Sequence, residues 1–309
     1  MRRVQHKNNS QVIQIFPTVS KVRRNIGNFR GLLLDDAGTI VAESKCISCV
    51  TTPCMKQDLG NRIVESCPVQ AIAINPNTGK IQISEDCISC GLCALRCPVG
   101  AIEWTADKPA LVHSDHDISN MSVVKPDIQM DWLSNLRHSQ TASLDSIQEV
   151  ARIITDNLKR EKASVIYPLV ASYLQVLGFS ATASNMGDTS SRADVTIKTA
   201  QGTVPIEVKS YTEVEFINLK SVQQAFENKL LTARQDQVSK LNTLSSLAIA
   251  FSYPSDRSRL DQLIEDVDGA FGIRIGIISL PRLLETVIGV SCGKLDFDKN
   301  SILGLKGLF

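Results

Sequence analysis

The sequence predicts an α+β chain of two parts: a cysteine-rich N-terminal part of short strands and loops, and a C-terminal mixed sheet flanked by helices. Three observations carry this expectation. Eight of the nine cysteines lie between Cys46 and Cys97. Helical periodicity and strand-like runs alternate only beyond about residue 143. At 309 residues, with 43% hydrophobic and 21% charged side chains, the chain suits two domains of an ordinary soluble protein.

Residues 1–28 read as a basic arm, because the first 30 residues carry Arg2, Arg3, Lys7, Lys21, Arg23, Arg24 and Arg30 and no acidic side chain. Such an arm suits phosphates; a solvated terminus is the other reading. Residues 29–112 form the cysteine-rich domain. It opens with FRGLLLDDAGTIVAESK, two short strands around the turn residues Asp35 to Gly38. AIAINPNTGKIQIS, from Ala71, is a hairpin signal with alternating isoleucines on both sides of Asn75 to Gly79. From residue 113 to 142 periodicity fades into turn formers, and this segment reads as the linker.

Residues 143–309 form the second domain. Ile147, Val150, Ile154 and Leu158 share one helical face, and Val165, Leu169, Tyr173 and Val176 share a second, with Pro168 near its start. Two strands follow Gly178, ADVTIKTA and TVPIEVKSY, joined by a tight turn at Gln201 and Gly202. A long amphipathic helix from about Leu219 to Leu241 leads to the apolar strand LSSLAIAFSY, a helix around Leu260 to Val267 and a last strand, IRIGIISL. The late apolar stretch is broken by Pro281, Arg282 and Glu285, so no membrane span is expected.

In the run CISCGLCALRCP, from Cys87 to Pro98, successive cysteines are separated by two, two and three intervening residues. That spacing lets Cys87, Cys90 and Cys93 wrap three corners of one iron–sulfur cubane, while Cys97, before Pro98, reaches a second cluster. Cys46, Cys49, Cys54 and Cys67 lie upstream, and Cys67 is again followed by a proline. Zinc is the competing occupant of paired CxxC motifs, but three closely spaced cysteines followed by CP suit it poorly. A basic, polar N-terminus without a secretory leader argues against a disulfide scaffold and for the cytoplasm.

With its near repeat CPVQAIAI and CPVGAIEW, this part resembles the two-cluster bacterial-type ferredoxins. The resemblance implies two 4Fe-4S clusters, one on Cys87, Cys90, Cys93 and Cys67, the other on Cys46, Cys49, Cys54 and Cys97. The first loop departs from the pattern, with four residues between Cys49 and Cys54.

In the second domain, Asp194 opens one strand, while Glu207 and Lys209, two residues apart, share one face of the next. Two carboxylates beside a lysine at a sheet end suit Mg²⁺ and an activated water. An ion pair on an exposed strand is the bland reading. RAD at Arg192 to Asp194 and EVK at Glu207 to Lys209 resemble the two half-motifs of the PD-(D/E)xK, restriction-endonuclease-like nucleases, over about residues 143 to 285. The resemblance implies that Asp194 and Glu207 bind Mg²⁺ and that Lys209 orients water or offsets developing charge. Glu161, with Glu149 in reserve, would be the additional acidic residue. Ala193 stands where many members have proline. Arg192 would contact a phosphate, and Lys220, Lys229 and Arg234 would line a DNA track on the long helix.

The function this implies is Mg²⁺-dependent cleavage of nucleic acid, DNA in preference to RNA, with clusters that are structural or redox-regulatory. The rival is an electron-transfer ferredoxin, with its own redox partner, whose C-terminal domain binds DNA or a partner without catalysis.

Overall fold

The computed structural model describes residues 32–34, 40–42, 55–58, 63–65, 67–74, 81–96, 102–103 and 110–111, then 144–184, 192–236, 244–255, 259–291 and 294–309. The chain divides into two compact units, Met1–Ile154 with Ile288–Leu295, and Thr155–Val287 with Asp296–Phe309. The basic arm, the linker, Cys46, Cys49, Cys54, Cys97 and Cys292 lie outside the described residues.

The first unit is built of two-stranded antiparallel ribbons. β1 (Leu32–Leu34) pairs antiparallel with β2 (Ile40–Ala42), the two short strands expected from the sequence. β3 (Lys56–Asp58) and β4 (Ile63–Glu65) form an antiparallel ribbon in the segment before Cys67. β5 (Ile72–Ile74) pairs β6 (Ile81–Ile83), with Ile72 opposite Ile83 and Ile74 opposite Ile81, so the isoleucine alternation sets the register. A short helix α1 (Leu92–Arg96) and the ribbon of β7 (Ile102–Glu103) with β8 (Ala110–Leu111) follow. α2 (Leu144–Leu158) runs across the division, and its stripe Ile147, Val150, Ile154 and Leu158 is buried.

The second unit holds a mixed six-stranded sheet. α3 (Ala163–Val176) precedes β9 (Ser180–Ala183), an edge strand for which the sequence reading made no provision. β10 (Val195–Thr199) and β11 (Gly202–Val208) form an antiparallel hairpin; Gly202, at φ 133°, takes the backbone conformation the tight turn requires. α4 (Leu219–Gln235) crosses to β12 (Ser246–Ala250), and α5 (Leu260–Phe271) crosses to β13 (Ile275–Ser279). α6 (Leu280–Ser291), α7 (Asn300–Leu303) and β14 (Gly307–Leu308) complete the chain. The spatial order is β14-β13-β12-β11-β10-β9, antiparallel on the β9 side of β11 and parallel beyond it.

β13 is therefore not the last strand, and Pro281 is the second residue of α6, where a proline's missing N–H has no helical partner to lose. Pro168 lies in the second turn of α3, whose burial extends well beyond the expected stripe to Ile166, Val170, Ala171 and Leu174. Helix α4 starts where Asn218 accepts the Ser221 N–H at 3.0 Å and ends at Gln235, six residues before its expected end, with Asp236 as its cap.

Strand alternation and the recorded register place Val195, Ile197, Val204, Ile206, Val208, Leu247 and Ile249 on one face of the sheet. The other face carries Glu207, Thr196, Ala248 and Ala250 beneath α4 and α5, whose Val222, Ala225, Ile264 and Val267 close the core against it. Ser246 Oγ donates to the Ala225 carbonyl at 2.6 Å and fixes α4 to β12. Residues 204–208 are all buried, so β11 is covered on both faces and is not an exposed strand.

Candidate functional sites

The first site follows from the thiol spacing. Cys67, Cys87, Cys90 and Cys93 line a single cavity, closed by Ala71, Ile72, Ile83, Ile88 and Leu92. The loop curls round it because Ser89, at φ 54°, and Gly91, at φ 75°, both take left-handed backbone. Ala71 N–H donates to Cys67 Sγ at 3.3 Å, a bond of the kind that tunes cluster potential. Burial pushes the Cys90 thiol up to about 12, and the neighbouring Cys67 and Cys87 charges add to the rise against the Leu92 N–H. Four thiolates in so apolar a place need a polycation between them, and an iron–sulfur cluster supplies one. Among the described residues no three His, Cys, Asp or Glu side chains converge as ligands of one metal ion. A cubane places its thiolates on four different irons, which is a wider spread.

The second site lies where β10 begins and β11 ends. Continuing the hairpin register by one residue sets Asp194 opposite Glu207. Val208 N–H donates to Asp194 Oδ2 at 2.8 Å. Glu207, 4% exposed, is held from two sides: Lys209 Nζ donates to Oε1 at 2.7 Å, and Asn228 Nδ2, from α4, donates to Oε2 at 2.9 Å. Glu213 closes the end of the site, its Oε2 accepting Ser210 N–H at 2.9 Å and Ser210 Oγ–H at 2.7 Å, with Tyr167 OH 3.5 Å from both carboxylate oxygens.

The electrostatics record this crowding. Burial, then the charge of Glu207, raises Asp194 to about 7, against the pull of the Val208 N–H and Lys209, with Glu213 adding to the rise. The Tyr167 phenol is pushed well above its ordinary value by burial and by Asp194, Glu213 and Glu207. Burial pulls the Lys209 ammonium down, but the hydrogen bond and charge of Glu207, with Asp194 and Glu213, outweigh it and leave it raised. Two carboxylates forced together at a buried strand end fit a divalent cation, since oxygen ligands are what Mg²⁺ takes and its charge relieves their repulsion.

Of the residues singled out from the sequence, Asp194, Glu207 and Lys209 meet here. Glu161 lies in the turn before α3, its N–H on the Leu158 carbonyl at 3.0 Å, and Glu149 is exposed in a pair with Arg152. The carboxylate whose charge reaches Asp194 and Lys209 is Glu213. Lys229 is 2% exposed, which removes it from any surface DNA track, and burial lowers it to about 8 against the opposing pull of Asp236. Lys220, Arg234 and Arg192 are exposed. Asn228, Tyr167 and Glu213 escaped the sequence reading. Asn228 had one signal, a polar residue at helical spacing with Ser221, Ala225 and Thr232 on the face that α4 buries.

Residues 81–103 match the family model of 4Fe-4S binding domains, so the chain carries a ferredoxin-type iron–sulfur domain. It is 35% identical over 86 residues to hydrogenase-4 component A of Escherichia coli, covering 28% of this chain and 37% of that protein. It is 32% identical over 71 residues to an aliphatic sulfonate oxidoreductase polyferredoxin-like subunit of Pyrococcus furiosus, covering 23% and 36%. The chain thus spans little more than a third of the length of either relative. Among solved structures, it is similar to restriction endonuclease FokI at a TM-score of 0.40 and 15% identity, over 67% of this chain and 38% of that one, and to FokI bound to DNA at 0.36 and 16%, over 67% and 39%. At TM-scores this low, these likenesses identify neither the fold nor the activity. Among the described residues no helix is long and apolar enough to cross a membrane.

Proposed function

We propose that the chain is a cytoplasmic iron–sulfur protein that cleaves nucleic acid, DNA in preference to RNA, with Mg²⁺. In this reading residues 29–112 hold two 4Fe-4S clusters and residues 143–309 form the nuclease domain. The observation that carries it is the convergence of Lys209 Nζ on Glu207 Oε1 beside Asp194, pinned by the Val208 N–H. A lysine turned out to solvent, away from both carboxylates, would favour a binding module; this one is only 13% exposed.

Asp194 and Glu207 would hold the cation, which supplies Lewis acidity toward the scissile phosphate and acidifies a bound water. Val208 N–H and Asn228 fix the two carboxylates in place. Lys209, kept protonated by its neighbours, offsets charge that builds on the phosphate. The clusters serve structure or redox regulation, and Cys46, Cys49, Cys54 and Cys97 would hold the second of them.

The match of residues 81–103 supports a second reading, electron transfer to a redox partner with a C-terminal domain that binds DNA without cutting it. Incubation of the anaerobic, reduced protein with supercoiled, linear and single-stranded DNA separates the two. Cleavage that needs Mg²⁺ and disappears in Lys209→Ala supports the nuclease; no cleavage of DNA or RNA by the wild type overturns it.

A further inference from the structure

A cleft of about 410 Å³ opens between the β10–β11 hairpin and the C-terminal half of α4. Its volume is that of a small-molecule site, about 300–1,000 Å³. One wall is Asn228, whose amide nitrogen is committed to Glu207, and another is Ala193, which precedes Asp194. The cleft therefore adjoins the acidic pair.

Its lining has a definite chemistry. Arg192 and Lys198, both exposed, supply two positive charges. The carboxylate of Asp236 is committed to Thr203, accepting its N–H at 2.8 Å and its hydroxyl at 3.1 Å. Two cations against one acid leave the lining with a net positive charge, and an anionic ligand is favoured. Gln235 and Thr232 present an amide and a hydroxyl, and Leu231 presents an apolar surface. That combination suits a ligand with a phosphate, a planar apolar face and polar edges. Lys198 lies four residues along β10 from Asp194, roughly 13 Å at strand rise. A phosphate on Lys198 is therefore a neighbour of the one at the acidic pair and not the same group.

We infer that this cleft binds a nucleotide unit of the DNA strand next to the one that is cut. The inference rests on the nuclease reading and deepens it, but its test does not need cleavage. Full-length Lys209→Ala protein in EDTA is titrated with a fluorescein-labelled single-stranded oligodeoxynucleotide, and thymidine 5′-monophosphate and inorganic phosphate are used as competitors. Adding Lys198→Ala, or separately Leu231→Trp to fill the cleft, should weaken oligonucleotide binding about tenfold, and thymidine monophosphate should compete at well below the concentration of phosphate required. Unchanged affinity in both variants, or equal competition by phosphate, overturns the nucleotide pocket. If the wild type cuts DNA while both substitutions leave its KM unchanged, the nuclease stands and the pocket falls. If it cuts nothing but oligonucleotide binding shows the expected losses, the pocket stands and catalysis falls.

Discussion

Asn228 Nδ2 donates to Glu207 Oε2 at 2.9 Å, and both residues are 4% exposed. A buried carboxylate is tolerable only when its oxygens are bonded, and here one oxygen is served by α4 and the other by Lys209. Asn228→Ala leaves Oε2 without that donor. A hydrogen bond to a charged group is worth about 1.5–3 kcal/mol, so the variant should lose about that much stability in metal-free buffer and bind Mg²⁺ more weakly. Urea midpoints with and without Mg²⁺ check both; an unchanged midpoint and an unchanged Mg²⁺ response would count against the role given to Asn228.

Asp194 makes the pH dependence of stability predictable. Its folded value, about 7, stands above its ordinary 3.8, so the native state holds a proton the unfolded state has lost. Its contribution to stability is full below about pH 4 and is lost as pH rises through 7. Asp194→Asn removes that loss and can still accept the Val208 N–H. In EDTA the variant should match the wild type near pH 4 and exceed it above pH 7, by up to about 4 kcal/mol from the three-unit shift. Mg²⁺ should restore stability to the wild type and not to the variant. Denaturant titrations across pH check this; a wild-type advantage in EDTA at pH 8 would contradict it.

Glu213 offers an independent handle on the same carboxyl, because its charge contributes to the rise of Asp194. Glu213→Gln removes a negative charge and should lower that value. If Asp194 must be ionised to bind the metal, the acidic limb of the cleavage rate then moves to lower pH. A limb at the same pH in both proteins would mean that Glu213 does not act on Asp194.

What could be read beforehand and what could not divide along a physical line. The β10–β11 hairpin was legible because Val195, Ile197, Val204 and Ile206 alternate strictly with polar or turn residues, and period 2 then places Glu207 and Lys209 together. β9 was not, since its SATA alternation is carried only by alanines, with no large or branched apolar side chain, and its strand character comes from pairing with Val195 to Lys198. α6 was not anticipated either, although Pro281 falls in the first helical turn, where a proline is tolerated. Asn228 and Glu213 reach the site from 21 and 6 residues after Glu207 with no motif spacing, so only the packing of α4 and the turn after β11 could reveal them. The repeat CPVQ and CPVG held a clue of another kind: Gln70 has φ 56°, the conformation that favours the glycine found at the matching place in the second copy.

The thiol cavity yields the last prediction. Cys90 is buried among Ile72, Ile83, Leu92 and the three other thiols, and its thiol is raised to about 12 by burial. A thiolate there is stable only against bound positive charge, so cluster and fold depend on one another. Cys90→Ala, purified anaerobically, should lose one cluster's iron and acid-labile sulfide from each chain. It should also melt at a lower temperature than the wild type, because the cavity walls lose the group that holds Cys67, Cys87 and Cys93 together. Gln235→Ala, on exposed α4 surface, should keep its full iron content and serve as the control. Iron and sulfide assays with the visible absorption of the cluster measure the outcome. Full iron content in Cys90→Ala would show that this thiol is not a ligand, and zinc in place of iron in the wild type would overturn the cluster itself.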